Sequence, residues 1–197
     1  MGNQPSFIAE ARREQIIKAA IETLDEIGYV NISLAKIAKR AKVSTGLISY
    51  HFSDKEDLLN NTLMYLLKKQ YDYITERVST KESAYDRLTS FIDASLAYQG
   101  THSANNIALI EIIFNGRTSE NVPYYKLSND DEDPLYVYLQ EILRYGQETK
   151  EFSEFNPKNV SIMIQGAIAE SMLMNGEEFD LEAYKKELVT MVTKMIK

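Results

Sequence analysis

No cysteine occurs in the 197 residues, which excludes disulfides and thiolate metal sites and suits a reducing compartment. The only histidines are His51 and His102. Neither a Gly-rich phosphate loop nor a paired-carboxylate helix motif accompanies them, so an enzyme is not expected and no cofactor or metal is called for. The acidic run Asp130–Asp133 lacks the glycine and ligand spacing of a calcium loop and reads as a solvated segment capping the next helix. No apolar run approaches the roughly 20 residues needed to span a bilayer. The opening MGNQPSFIAEARREQ has no apolar signal core. A soluble, cytoplasmic protein without a membrane partner is expected.

One further absence is local. The formal net charge is −7, yet Asn31 to Ser53 holds no Asp or Glu while containing Lys36, Lys39, Arg40 and Lys42. Residues 1–58 carry eight basic and eight acidic side chains, so the rest of the chain carries the whole deficit. Screening confines charge effects to roughly 10 Å, so local balance governs specific contact with a polyanion.

What is present is helical spacing. The 44% apolar content is ordinary for a folded chain. Ile16, Ile17, Ala20, Leu24 and Ile27 form a stripe that ends at Gly28, a natural helix stop. Ser33 is a candidate N-cap for a short helix with Leu34, Ile37, Ala38 and Ala41 on one face. Val43-Ser44 makes a turn into a third short helix, Thr45 to about Phe52. Asp54 caps a long fourth helix, Lys55 to about Val78, with Glu56 and Asp57 in its first turn. Further helices are expected near 82–99, 104–115, 134–150, 157–175 and 180–196, Asp133-Pro134 and Asn156-Pro157 supplying two of the starts. The fold class is therefore all-α, about nine helices, with a loop at Arg117–Asp133.

Helix, tight turn, helix over Ser33–Phe52 has helix-turn-helix dimensions. At about 100° per residue, Thr45, Gly46, Ser49 and Tyr50 fall on one small, polar side of the third helix. Leu47, Ile48, His51 and Phe52 fall on the other. A helix entering a major groove needs short side chains at the base edges, donors toward phosphate and no carboxylates. The acid-free window then faces a polyanion.

From Arg12 to Leu59, the patterns Q-I-I-x-A-A ending at Gly28, I-A-x-x-A-x-V-S-x-G-x-I-S-Y-H-F and D-K-E-D-L-L resemble the DNA-binding domain of TetR/AcrR transcriptional regulators. The motifs cover about a quarter of the chain. The resemblance implies a helix-turn-helix domain over 1–54 and a helical effector-binding and dimerisation domain over 55–197. It implies that Ser33, Lys36 and Lys55 meet phosphate, that Thr45 and Gly46 approach base edges, and that Tyr50 and His51 reach backbone or bases; Ser44 is a further DNA-binding candidate, with helix capping as its competing reading. Members often carry tyrosine where this chain has Ser49, which removes a ring contact. His51 lies within the apolar arc, so packing is the competing reading.

Eleven of the thirteen tyrosines lie beyond Met64. They pack a core or line an effector pocket, for which Phe91, Tyr98, Phe114, Tyr138 and Met172 are the candidates. For self-association, Ile162, Gly166, Ala169 and Leu173 offer small and apolar residues at helical spacing. Tyr184, Leu188, Met191, Val192 and Met195 continue a stripe on the last helix. Either these stripes build a homodimeric four-helix bundle or they face the protomer's own core. The implied function is a repressor released from a palindromic operator in double-stranded DNA by a small-molecule effector. A helical protein–protein adaptor retaining the scaffold is the alternative.

Overall fold

The computed structural model describes residues 7–118, 120–126, 133–174 and 179–197. Nine α-helices are present among them: α1 Phe7–Asn31, α2 Leu34–Ala41, α3 Thr45–His51, α4 Lys55–Val78, α5 Ala84–Thr101, α6 Ser103–Asn115, α7 Pro134–Glu148, α8 Pro157–Ser171 and α9 Leu181–Ile196. A short 3-10 turn covers Tyr124–Lys126, and Arg117 pairs with Pro123 in an isolated bridge. None of the described helices is long and apolar enough to cross a membrane.

The ends of these helices follow local chemistry. Ser33 Oγ accepts from Lys36 N at 3.4 Å, and Ser44 Oγ accepts from Leu47 N at 3.1 Å. Asp54 caps α4 through Asp57 N at 2.7 Å, while Asp133 and Asn156 cap α7 and α8 ahead of a proline. Gly28 breaks α1 at φ 70°, a left-handed conformation that glycine adopts without steric penalty, so the helical turns of Tyr29–Asn31 form a separate piece. The acidic residues Asp130, Asp131 and Glu132 lie outside the described residues.

Two compact units divide the chain: Met1–Lys68 with Ser103–Leu127, and Lys69–His102 with Ser128–Lys197. The first has a core of Ile16, Ala20, Leu24, Ile37, Ile48, Phe52 and Leu58, joined by Ala108 and Ile112 of α6. Leu88, Phe91, Ile92, Leu139, Leu143, Ile164, Val192 and Ile196 build the second. This division departs from a boundary after residue 54, because α6 packs on α1 rather than among the helices that follow it.

Packing also sorts the two expected association stripes. Leu188 and Val192 are core residues, each 5% exposed, and the Tyr184 hydroxyl donates to Ala167 O at 2.7 Å. Leu188 and Val192 therefore serve the protomer's own interior, which corrects their assignment to an interface, while Tyr184 is half-buried. Ile162, Gly166, Ala169, Leu173, Met191 and Met195 are exposed, and a Cβ placed at Gly166 would meet no atom within 4 Å.

Candidate nucleic-acid interface

α3 is oriented by its buried side. Ile48 and Phe52 are 0% and 1% exposed in the core of the first unit, so the opposite side of a seven-residue helix must face outward. Ser44, Thr45, Gly46, Ser49 and Tyr50 are all exposed, Tyr50 at 80%. Within the acid-free stretch these residues form an outward surface of small hydroxyls, a bare backbone at Gly46 and a phenol.

The flanking donors differ in how they are held. Ser33 and Ser44 cap their helices through lone pairs, and each O–H remains a donor. Lys36 is exposed, with Nζ donating to Asn31 O at 2.7 Å. Lys55 is half-buried, its Nζ 5.1 Å from the Tyr29 ring centroid and 3.6 Å from Glu56 Oε1. A cation held over a ring keeps its position with less entropy left to lose on meeting phosphate. Arg40 departs from the picture of a uniformly basic window: its guanidinium pairs with Glu22 and Glu26 of α1.

His51 is half-buried, and its ring stands edge-on to Tyr50 at 5.0 Å. Burial pushes its pKa below the ordinary histidine value, and the Arg13 guanidinium beside it adds to the effect. Its neutral imidazole is favoured. Packing and outward contact are both open to it at this position.

Sequence reasoning missed two residues that fasten this motif. Arg13 Nη1 donates to His51 O at 2.6 Å, and Gln15 Nε2 donates to Ala41 O at 2.8 Å. Their spacing ahead of the α1 stripe is that of an ordinary solvated face, and the acceptors are backbone atoms, which carry no sequence signal.

Of the expected pocket residues, Phe91 and Tyr138 are brought together. Phe91 is fully buried in the second core, and its ring lies 6.5 Å from that of half-buried Tyr138. Tyr98 is buried and stacks on His102 at 4.2 Å, with Tyr73 edge-on to both rings. His102 caps the end of α5, its backbone N–H reaching Tyr98 O. Met172 is half-buried just past α8. Phe114 lies in the first unit and is 64% exposed, stacked on Tyr125. Its apolar position on α6 gave no means of telling which side that helix buries.

Residues 16–62 match the family described as bacterial regulatory proteins, tetR family, and these are the residues that build α2, α3 and the start of α4 around the exposed face. Over these residues the chain is similar to the TetR family. The chain is similar to the HTH-type transcriptional regulator BetI of Stenotrophomonas maltophilia (strain R551-3), 33% identical over 89 residues. BetI of Burkholderia ambifaria (strain MC40-6) is 36% identical over 87 residues. Each match covers 44–45% of this chain and 45% of the relative, less than half of either. Solved TetR-like structures extend over the whole fold. The transcriptional regulator FadR from Bacillus subtilis, solved with stearoyl-CoA, has a TM-score of 0.78 at 27% identity, covering 93% of this chain and 99% of that one. FadR from Bacillus halodurans, a fatty acid degradation regulator, has a TM-score of 0.77 at 22% identity, covering 98% and 97%, and shares the fold.

Proposed function

We propose that this chain is a DNA-binding transcriptional regulator of the TetR type that works as a homodimer on a palindromic operator in the cytoplasm and is released by a small-molecule effector. The observation that carries the reading is the outward face of α3, free of carboxylates in a chain of net charge −7. Thr45 and Gly46 approach base edges, Ser49 and Tyr50 complete the face, and Ser33, Lys36, Ser44 and Lys55 meet phosphates on either side. One seven-residue helix covers too little duplex for tight specific binding, so paired copies on two half-sites are required. The exposed residues Ile162, Gly166, Leu173, Met191 and Met195 on and after the last two helices supply the pairing surface.

The effector acts in the second unit, whose mainly aliphatic core is flanked by the partly buried rings of Tyr71, Tyr73, Tyr85, Tyr138 and Tyr145. An amphipathic ligand fits that composition, and the stearoyl-CoA held by the 27%-identical neighbour makes a long-chain acyl thioester the first compound to try. Such a ligand releases DNA only through a difference in affinity between two arrangements, transmitted along α4, whose residues Lys55–Val78 belong to both units.

The test is enrichment of duplexes from a randomised pool by the full chain at low salt, followed by titration of stearoyl-CoA against the bound complex. A two-fold symmetric sequence should emerge, and an effector should raise the Kd. Failure to enrich any duplex sinks the proposal.

A further inference from the structure

Two side chains of α1 each close the last carbonyl of one helix of the helix-turn-helix pair. Arg13 reaches His51 O, the final residue of α3, and Gln15 reaches Ala41 O, the final residue of α2. We propose that Arg13 and Gln15 are positioning residues for DNA reading: they clamp α2 and α3 to α1 by their C-terminal ends and so fix the angle at which the face of α3 is presented. This rests on the DNA-binding reading above.

The physical need is clear from length. α2 has eight residues and α3 seven, whereas isolated helices are marginal below about 12–15 residues. The last carbonyls of any helix lack a partner within it. In α2, Ala38 O and Lys39 O are met by the backbone N–H groups of Val43 and Lys42, and in α3 Ile48 O is met by Phe52 N. The terminal carbonyl of each helix is then taken by a donor from α1, so two ends that would fray become fixed points.

Each clamp is itself held. The Arg13 guanidinium also donates to Asn61 Oδ1 at 2.8 Å and lies 4.5 Å from the Phe52 ring centroid. Asn61 in turn donates to Asp57 O and Oδ1, both at 2.8 Å. Donating in two fixed directions from one plane while covering a ring is guanidinium geometry that an ammonium does not reproduce. The positive charge also lies at the C-terminal end of α3, where the helix dipole favours it. Gln15 is turned by Arg12, whose Nη1 donates to Gln15 Oε1 at 2.7 Å and leaves the amide N–H₂ facing Ala41 O. Reading bases demands placement within about 0.5 Å and 10–20°, a tolerance that fraying ends exceed.

The experiment compares the full chain with Arg13→Lys and Gln15→Met on a duplex enriched by the parent and on a scrambled duplex of equal length. Arg13→Lys keeps the charge and loses the fork; Gln15→Met keeps the shape and loses the donor. Each should bind the enriched duplex about tenfold more weakly and the scrambled one within about twofold. The salt dependence on scrambled duplex should not change. Amide exchange should quicken at the end of α3 in Arg13→Lys and at the end of α2 in Gln15→Met. Parental affinity with parental exchange overturns the proposal. Equal weakening on both duplexes also overturns it, because the loss would then not lie in base reading. Should Arg13→Lys melt within the assay range, Gln15→Met carries the same comparison. If the parent enriches no duplex, the regulator reading fails, and the exchange measurement still decides the clamp.

Discussion

Replacing Thr45 with alanine removes a hydroxyl from an exposed position at the head of α3, where no packing is lost. Its effect should fall on base preference: the selected sequence changes at one position per half-site while affinity for random duplex holds, which sequencing of enriched pools reports. Lys55→Ala should behave oppositely. Losing one ammonium per protomer weakens binding to every sequence and lowers the salt slope by about 1 per protomer, measured by anisotropy titrations across salt. Inside the second unit, Gly146 shows the same sensitivity to single atoms. A Cβ there would come within 2.0 Å of the Phe152 ring, which is buried. Gly146→Ala must displace that ring, and a loss of about 1–3 kcal/mol is expected in denaturant unfolding.

Elements begin and end where their capping groups permit, and some of those groups come from far along the chain. α5 starts at Ser83, whose Oγ accepts from Asp86 N at 3.0 Å, but its first amides, Ala84 N and Tyr85 N, donate to the Glu151 carboxylate at 2.9 and 3.0 Å. These bonds hold the Glu151 pKa below the usual carboxylate range, with Thr149 and Arg87 adding smaller contributions and burial opposing them. The ionised form is thus favoured by folding, so its stabilisation is whole above the ordinary carboxylate range and is lost as pH falls through the lowered native value. Glu151→Gln should cost about 1 kcal/mol at neutral pH, and the two proteins should converge in stability on acidification, as thermal melts across pH report. The caps at Ser33, Ser44, Asp54, Asp133 and Asn156 were legible because cap and helix are adjacent in the sequence. Glu151 was not, since a cap 67 residues from its helix carries no local pattern.

At the scale of the whole molecule, the association surface is where sequence periodicity and packing part company. Both stripes on α8 and α9 are apolar, yet Leu188 and Val192 turn inward while Ile162, Met191 and the open Gly166 face solvent. A Cβ at Gly166 meets nothing in its own protomer, so the Gly166→Arg protomer should still fold, with helical circular dichroism like the parent's. Sedimentation velocity should show a shift from dimer to monomer, and affinity for the enriched duplex should fall by about 100-fold or more as the second half-site is lost. A dimer that persists in this variant would place the pairing surface elsewhere.

The sequence by itself determined the helical class, the position of the helix-turn-helix and the outward side of α3. All three depend on spacing within a few residues: apolar period, capping oxygen, and the exclusion of acids from Asn31 to Ser53. Tertiary structure alone decided that α6 joins the first core through Ala108 and Ile112, that Phe114 faces outward, and that Arg13 and Gln15 close the ends of two short helices. Those outcomes depend on which of several apolar faces finds a partner and which backbone carbonyl comes within reach. Contacts between residues distant along the chain settle both, and no local run of side chains encodes them.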